Sequence, residues 1–165
     1  AAFYGAGKGI EVLKTRASVR SVDVDQALSL KFESGDAKKL ESLEVGMQNA
    51  GPSTDKEFKV FGHGDSDGIM FGDVKLDAEK VAYVIQNSPE YIGGDQRVIL
   101  YSCETGKKPD GFAQQLADIL GVTVSAPNTE IRPQKTGGFL IGNIYEEGGQ
   151  YRIDRGRMII FRPKK

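Results

Sequence analysis

The chain has no tryptophan, one histidine and one cysteine in 165 residues. A single thiol excludes an internal disulfide, and no CxxC pair or Cys/His cluster offers zinc-site spacing. Long apolar runs are missing too: nothing approaches the roughly 20 residues that cross a bilayer as a helix. Excess charge of one sign is also missing. With a formal net charge of −1, the overall charge makes no case for nucleic acid or an acidic membrane as partner. No basic–apolar–small-residue leader opens the chain, and a start at Ala1 without methionine leads us to expect a piece cut from a longer protein. The 39% apolar and 27% charged content suits one soluble core. We therefore expect a single domain over 1–165 that folds without metal or disulfide.

What the chain does have is one thiol and one imidazole at matching addresses. Val98, Ile99, Leu100 and Tyr101 form an apolar run that leads through Ser102 into Cys103 and a turn at Gly106. A run of that length closed by a turn reads as a strand buried on both faces, as in a parallel sheet. About forty positions earlier, a strand over 58–61 runs into Gly62, His63 and Gly64 in the same way.

The remaining elements follow from periodicity and caps. Gly5, Gly7, Lys8 and Gly9 lack the Gly-Lys-Ser/Thr ending of a phosphate loop and are read as the lead into a strand over 10–13. A second strand is expected over 19–24, then a short helix over 27–32 capped by Asp25. Asp36 precedes Leu40, Leu43 and Met47 on one helix face, stopped by Gly51 and Pro52. Residues 69–71 and 74–76 read as a hairpin. Asp77 caps a helix over 78–87 with Val81, Val84 and Ile85 inward. A helix over 111–120 turns Phe112, Leu116, Ile119 and Leu120 inward, and a third buried strand covers 122–125. Crossovers of this kind imply parallel strands. The fold class is thus α/β: a central, mainly parallel sheet flanked by helices, with the catalytic core at 58–128. Glycines at 137, 138, 142, 148 and 149 punctuate short strands in a β-hairpin-rich extension over 136–165.

In parallel α/β sheets functional groups collect past the carboxyl ends of the strands. Adjacent strands lie about 4.8 Å apart, so residues just past their ends can meet. A thiol with a pKa of about 8.5 is mostly protonated at neutral pH, and a nearby imidazole generates the attacking thiolate. We therefore expect a His63–Cys103 dyad, with the amides of Gly64 and Cys103 holding an oxyanion. Lys107 and Lys108 would lower the thiol pKa if they fold back. Asp65 or Asp67 would orient the imidazole. Asp65 and Asp67 also suit a cation loop, but the closing Glu of an EF-hand is absent, so a polar turn is the better reading and no metal is expected. Ser102 lies in no G-x-S-x-G elbow, because Leu100 and Glu104 hold the glycine positions.

Strand–Gly62–His63–Gly64 followed by strand–Ser102–Cys103, with a helix between, resembles the caspase/gingipain-like cysteine peptidases. It is nearest in style to the autoprocessing protease domains of large bacterial toxins. The stretches 100–106, 111–117 and 121–127 also look like C-terminal modules of polymorphic toxins. The resemblance covers about 58–128. It implies a caspase-like fold and a cysteine peptidase acting as a toxin, effector or autoprocessing module. It assigns Cys103 as nucleophile, His63 as acid/base and Gly64 as an oxyanion amide. It also implies a protein or peptide substrate, the parent chain included, a neutralising immunity partner, and secretion or delivery as part of a larger bacterial protein. Toxin autoprocessing domains are switched on by inositol hexakisphosphate at a basic surface. Arg152, Arg155 and Arg157 in the tail are the candidate anion-binding residues, with a solvated strand face as the alternative. Two further readings stay open: a Cys–His deamidase or acyltransferase, and a non-catalytic binding module on the same fold.

Overall fold

The computed structural model describes residues 10–12 and 29–164. Strands β1 (Ile10–Val12) and β2 (Leu30–Phe32) come first, then helix α1 (Ala37–Ala50). Asp36 caps α1: one carboxylate oxygen accepts from the amides of Lys38 and Lys39 at 2.9 and 3.2 Å, two donors that the first turn leaves without partners. Strand β3 (Glu57–Phe61) leads into three short strands, β4 (Gly64–Asp65), β5 (Gly68–Phe71) and β6 (Val74–Leu76). Asp77 caps α2 (Ala78–Gln86) through the Lys80 amide at 3.0 Å. Next come β7 (Arg97–Tyr101), α3 (Phe112–Leu120) and β8 (Val124–Pro127). The tail forms β9 (Ile131–Pro133), β10 (Phe139–Glu147), β11 (Gln150–Arg155) and β12 (Met158–Phe161).

Six strands make the central sheet in the order β1-β2-β3-β7-β8-β12. The inner four run parallel, and β1 and β12 pair antiparallel at the two edges. Two small antiparallel sheets, β4–β5–β6 and β9–β10–β11, lie beside it. Side-chain alternation divides the core. Phe58, Val60, Val98, Leu100 and Val124 cluster with Val81 and Ile85 of α2 and with Phe112 and Leu116 of α3. On the other face Phe61 packs with Leu43 and Met47 of α1, and Tyr101 closes over them. The mainly parallel sheet flanked by helices is as expected from the sequence.

Several elements differ from expectation. Residues 30–32 are a strand, not the end of a helix over 27–32; Asp25, its expected cap, and the strand over 19–24 lie outside the described residues. Leu30 and Phe32 are fully buried and β2 pairs with β3 at Leu30–Val60 and Lys31–Phe61. Lys31 is tolerated there because its buried stem carries the ammonium to Glu44 of α1. Ile119 is 44% exposed, so α3 turns a narrower stripe inward than expected. The strand after α3 sits at 124–127, two residues late. Strand β9 was not anticipated; its Pro133 fits an edge strand, where no ladder donor is needed. Within 136–165, β10 and β11 form a hairpin and β12 completes the central sheet against β8.

These burial differences give a test. Leu100→Ala should destabilise the fold by about 2–5 kcal/mol in urea unfolding, whereas Ile119→Ala should stay within about 0.5 kcal/mol. Equal losses would contradict the assigned faces.

Candidate active site

The β3–β7 ladder runs in register from Glu57–Arg97 to Phe61–Tyr101. His63 and Cys103 are each two residues past the last of these pairs, so they leave adjacent strands at the same depth. Both line one cleft, together with Leu43, Phe61, Tyr101, Ile131 and Phe139. Its floor is a run of rings: Phe61 stacks on Tyr101 with centroids 4.7 Å apart, and Tyr101 meets Phe139 at 4.9 Å. The cleft volume is about 30 Å³, room for ordered water rather than a side chain.

His63 Nε2 lies 3.0 Å from the backbone carbonyl oxygen of Lys39 in α1. A carbonyl can only accept, so Nε2 carries the proton and Nδ1 is the basic nitrogen. The orienting group is therefore a main-chain carbonyl and neither of the expected aspartates. Asp65 is paired with Lys75 and accepts from the Asp67 amide at 2.8 Å. Asp67 is paired with Lys108 at 2.8 Å, which ties the turn after His63 to the loop after Cys103.

The Cys103 sulfur is engaged by β9 from both directions. Its thiol donates to the Ile131 carbonyl at 3.6 Å, and the Ile131 amide donates back to Sγ at 3.4 Å. Burial pushes the thiol pKa up, aided by the charges of Glu130 and Glu104; the Ile131 amide and Arg132 only partly oppose this. The lysines expected to lower it do not fold back: Lys107 pairs with Glu104 at 3.2 Å and Lys108 with Asp67. Among the described residues no hydrogen bond joins Cys103 to His63 in this resting arrangement.

Two features beside the sulfur suit acyl chemistry. The Met70 amide donates to the His63 carbonyl at 2.7 Å. By antiparallel alternation, the neighbouring Gly64–Ile69 pair is then of the non-hydrogen-bonded kind, and the Gly64 N–H points away from β5. A Cβ on Gly64 would lie 2.8 Å from the Gly68 carbonyl oxygen and 3.3 Å from Ser102 Cβ, so only glycine brings that amide so near β7. Gly62 is under the same constraint, its Cβ position being 2.7 Å from Ile69. The Cys103 amide has no hydrogen-bond partner among the described residues. Immediately after it, Glu104 has a φ of 59° and is the only non-glycine in the left-handed region among the described residues. Such strain costs roughly 1–2 kcal/mol and tends to collect at functional turns.

The tail arginines do not converge. Arg152 and Arg155 are an odd number of residues apart on β11, hence on opposite faces of the ribbon. Arg152 pairs with Glu147 at 2.8 Å, and Arg157 follows the strand. The Lys39 carbonyl, Ile131 and the strained Glu104 were not anticipated. Two of these act through main-chain atoms, which no residue type announces.

The sequence profile of a domain of unknown function (DUF8616) matches residues 33–141. The chain belongs to this family. The match includes His63, Gly64, Cys103 and Ile131 and ends before Arg152. No curated protein and no solved structure matches the chain.

Glu104→Gly should relieve the left-handed strain and raise stability by about 1 kcal/mol. By removing a negative charge beside the sulfur, it should also move the midpoint of the Cys103 alkylation–pH profile downward; an upward move would contradict the assigned electrostatics. A second test concerns the whole fold. The folded thiol pKa lies above the unfolded value of about 8.5, so the folded chain holds its proton longer. Stability is therefore full below that value and falls as pH rises through the folded pKa. Cys103→Ala should flatten this alkaline slope in urea titrations.

Proposed function

We propose that this domain is a cysteine peptidase of the caspase/gingipain type, with Cys103 as nucleophile and His63 as acid and base. The observation that carries the reading is the arrangement of the pair. The sole imidazole and sole thiol leave adjacent parallel strands at equal depth into one cleft, with Nε2 fixed by Lys39 so that Nδ1 is left basic.

In the proposed reaction Nδ1 takes the thiol proton as sulfur attacks the scissile carbonyl carbon. The amides of Gly64 and Cys103 stabilise the resulting oxyanion. Collapse breaks the C–N bond, and the imidazolium gives its proton to the leaving amine. Water, deprotonated by the same imidazole, then attacks the thioester, and its proton returns to sulfur when the acid product leaves. Because the thiol pKa is raised, its proton is removed during attack and not before. The substrate in this reading is a protein or peptide, the parent chain included, and the domain serves as an effector or autoprocessing module of a larger bacterial protein.

The test uses the longer native chain with a peptide-based electrophile, read by intact mass. Wild type should gain one label at Cys103, and His63→Ala should label about a hundredfold slower or less. Cleavage products should form with wild type and be absent with Cys103→Ala. Labelling at one rate with or without His63 would sink the dyad. His63-dependent labelling without cleavage of any peptide bond would move the reading to deamidation or acyl transfer.

A further inference from the structure

One side chain fastens to α1 the turn that follows the strand engaging Cys103. Asn49, in the last turn of α1, donates through Nδ2 to the carbonyls of both Gln134 and Gly138, at 2.8 and 2.9 Å. These two residues close the turn between β9 and β10: the Gln134 amide donates to the Gly138 carbonyl at 3.0 Å, and the Gly137 amide to the Gln134 carbonyl at 2.9 Å. The strands on either side carry Ile131, whose backbone engages Sγ, and Phe139, whose ring walls the cleft. Pro133 and Phe139 seat on α1 at Gly46, nearly one turn before Asn49, where a Cβ would stand at ordinary contact distance, 3.8 and 3.7 Å from them. A turn fastened at this point holds both walls of the cleft at once.

We propose that Asn49 is a positioning residue of the candidate site. By fastening the 134–138 turn to α1, it keeps the Ile131 backbone on the Cys103 sulfur and the cleft shut, so that the thiol is latent until the turn is released. This rests on Cys103 being the nucleophile. Release lifts β9, frees the thiol from the Ile131 carbonyl and widens a cleft now sized for water. The charged groups around the sulfur are Glu104 on its own loop, and Glu130 and Arg132 flanking Ile131; His63 faces the same cleft. Opening moves Glu130 and Arg132 away and leaves Glu104 and His63 in place.

The probe is iodoacetamide on the full chain, with the rate of Cys103 alkylation followed against pH. Asn49→Ala removes two hydrogen bonds and should raise the rate about tenfold, with the rate–pH midpoint moving toward that of an ordinary thiol. Gly138→Ala approaches the same turn from the other side, since φ there is 75° and a side chain is strained; it should act in the same direction, and it decides the matter should Asn49→Ala fail to fold. Asn87→Ala is the stability control. It removes a comparable contact, Nδ2 to the Tyr83 carbonyl at 2.8 Å, at the end of α2 and outside the lining of the cleft, and should lower the melting temperature without altering alkylation. If Asn49→Ala and Gly138→Ala melt earlier yet keep the wild-type rate and midpoint, the latch is refuted. His63→Ala added to Asn49→Ala separates the two ideas. A rate that stays raised without His63 upholds the latch and overturns only the dyad, whereas loss of the rate gain with His63 upholds both.

Discussion

The register of β3 against β7 is the constraint on which the rest depends. Both ends of the ladder are pinned by side chains as well as by backbone. At its start Arg97 pairs with Glu57 at 2.5 Å, and at its end the rings of Phe61 and Tyr101 lie nearly parallel, 8° apart. A slip of one residue would turn one strand's side chains to the opposite face. Phe58 or Val98 would then leave the α2–α3 core, and His63 and Cys103 would no longer open into the same cleft. The core that fixes the register therefore also fixes the site, and the positions past the strand ends inherit an alignment to which their own side chains contribute little.

Helix α1 is the second shared support. Its first turns present the Lys39 carbonyl to His63, and its last turn holds the 134–138 turn through Asn49. Ten residue steps, about 15 Å of helix, separate them. One rigid rod thus orients His63 at one end and fastens the turn beside the strand that covers Cys103 at the other. Each contact is a neutral hydrogen bond with a net value of about 1 kcal/mol. That is strong enough to select a resting arrangement, yet weak enough for a bound partner or substrate to overcome.

Much of this was legible in the sequence, for identifiable reasons. The run over 98–101 is unbroken because both faces of its strand are covered, the run over 58–61 is broken only by the buried Lys59, whose ammonium reaches the Ala50 carbonyl at 2.6 Å, and Asp36 and Asp77 sit where caps belong. Strand β2 was missed because Lys31 interrupts its apolar run, and only the neighbouring Glu44 of α1 makes that lysine acceptable. Strand β9 was missed because Arg132 and Pro133 read as loop; its edge position is what tolerates them. Ile119 was placed inward because a helical stripe gives the direction of the core but not its width. That His63 and Cys103 open into one cleft could be expected from topology alone. The partner of each could not, since both partners are main-chain groups supplied by elements distant in sequence.

A thiol whose pKa is raised looks at first like a poor nucleophile, but the surroundings of Cys103 fit a particular use of it. A thiolate standing free in the cleft would react with any oxidant or electrophile that reached it. Burial under Ile131 and the charges of Glu104 and Glu130 keep the sulfur neutral, and the Lys39 contact occupies Nε2 of His63, so that Nδ1 is the nitrogen open to the cleft's chemistry in the proposed dyad. In the proposed peptidase reaction the proton then moves only when a carbonyl is in place to accept the sulfur and two amides are in place to accept the oxyanion. On this argument the raised pKa and the narrow cleft belong together: both confine reactivity to the moment when a substrate, having displaced β9, completes the site.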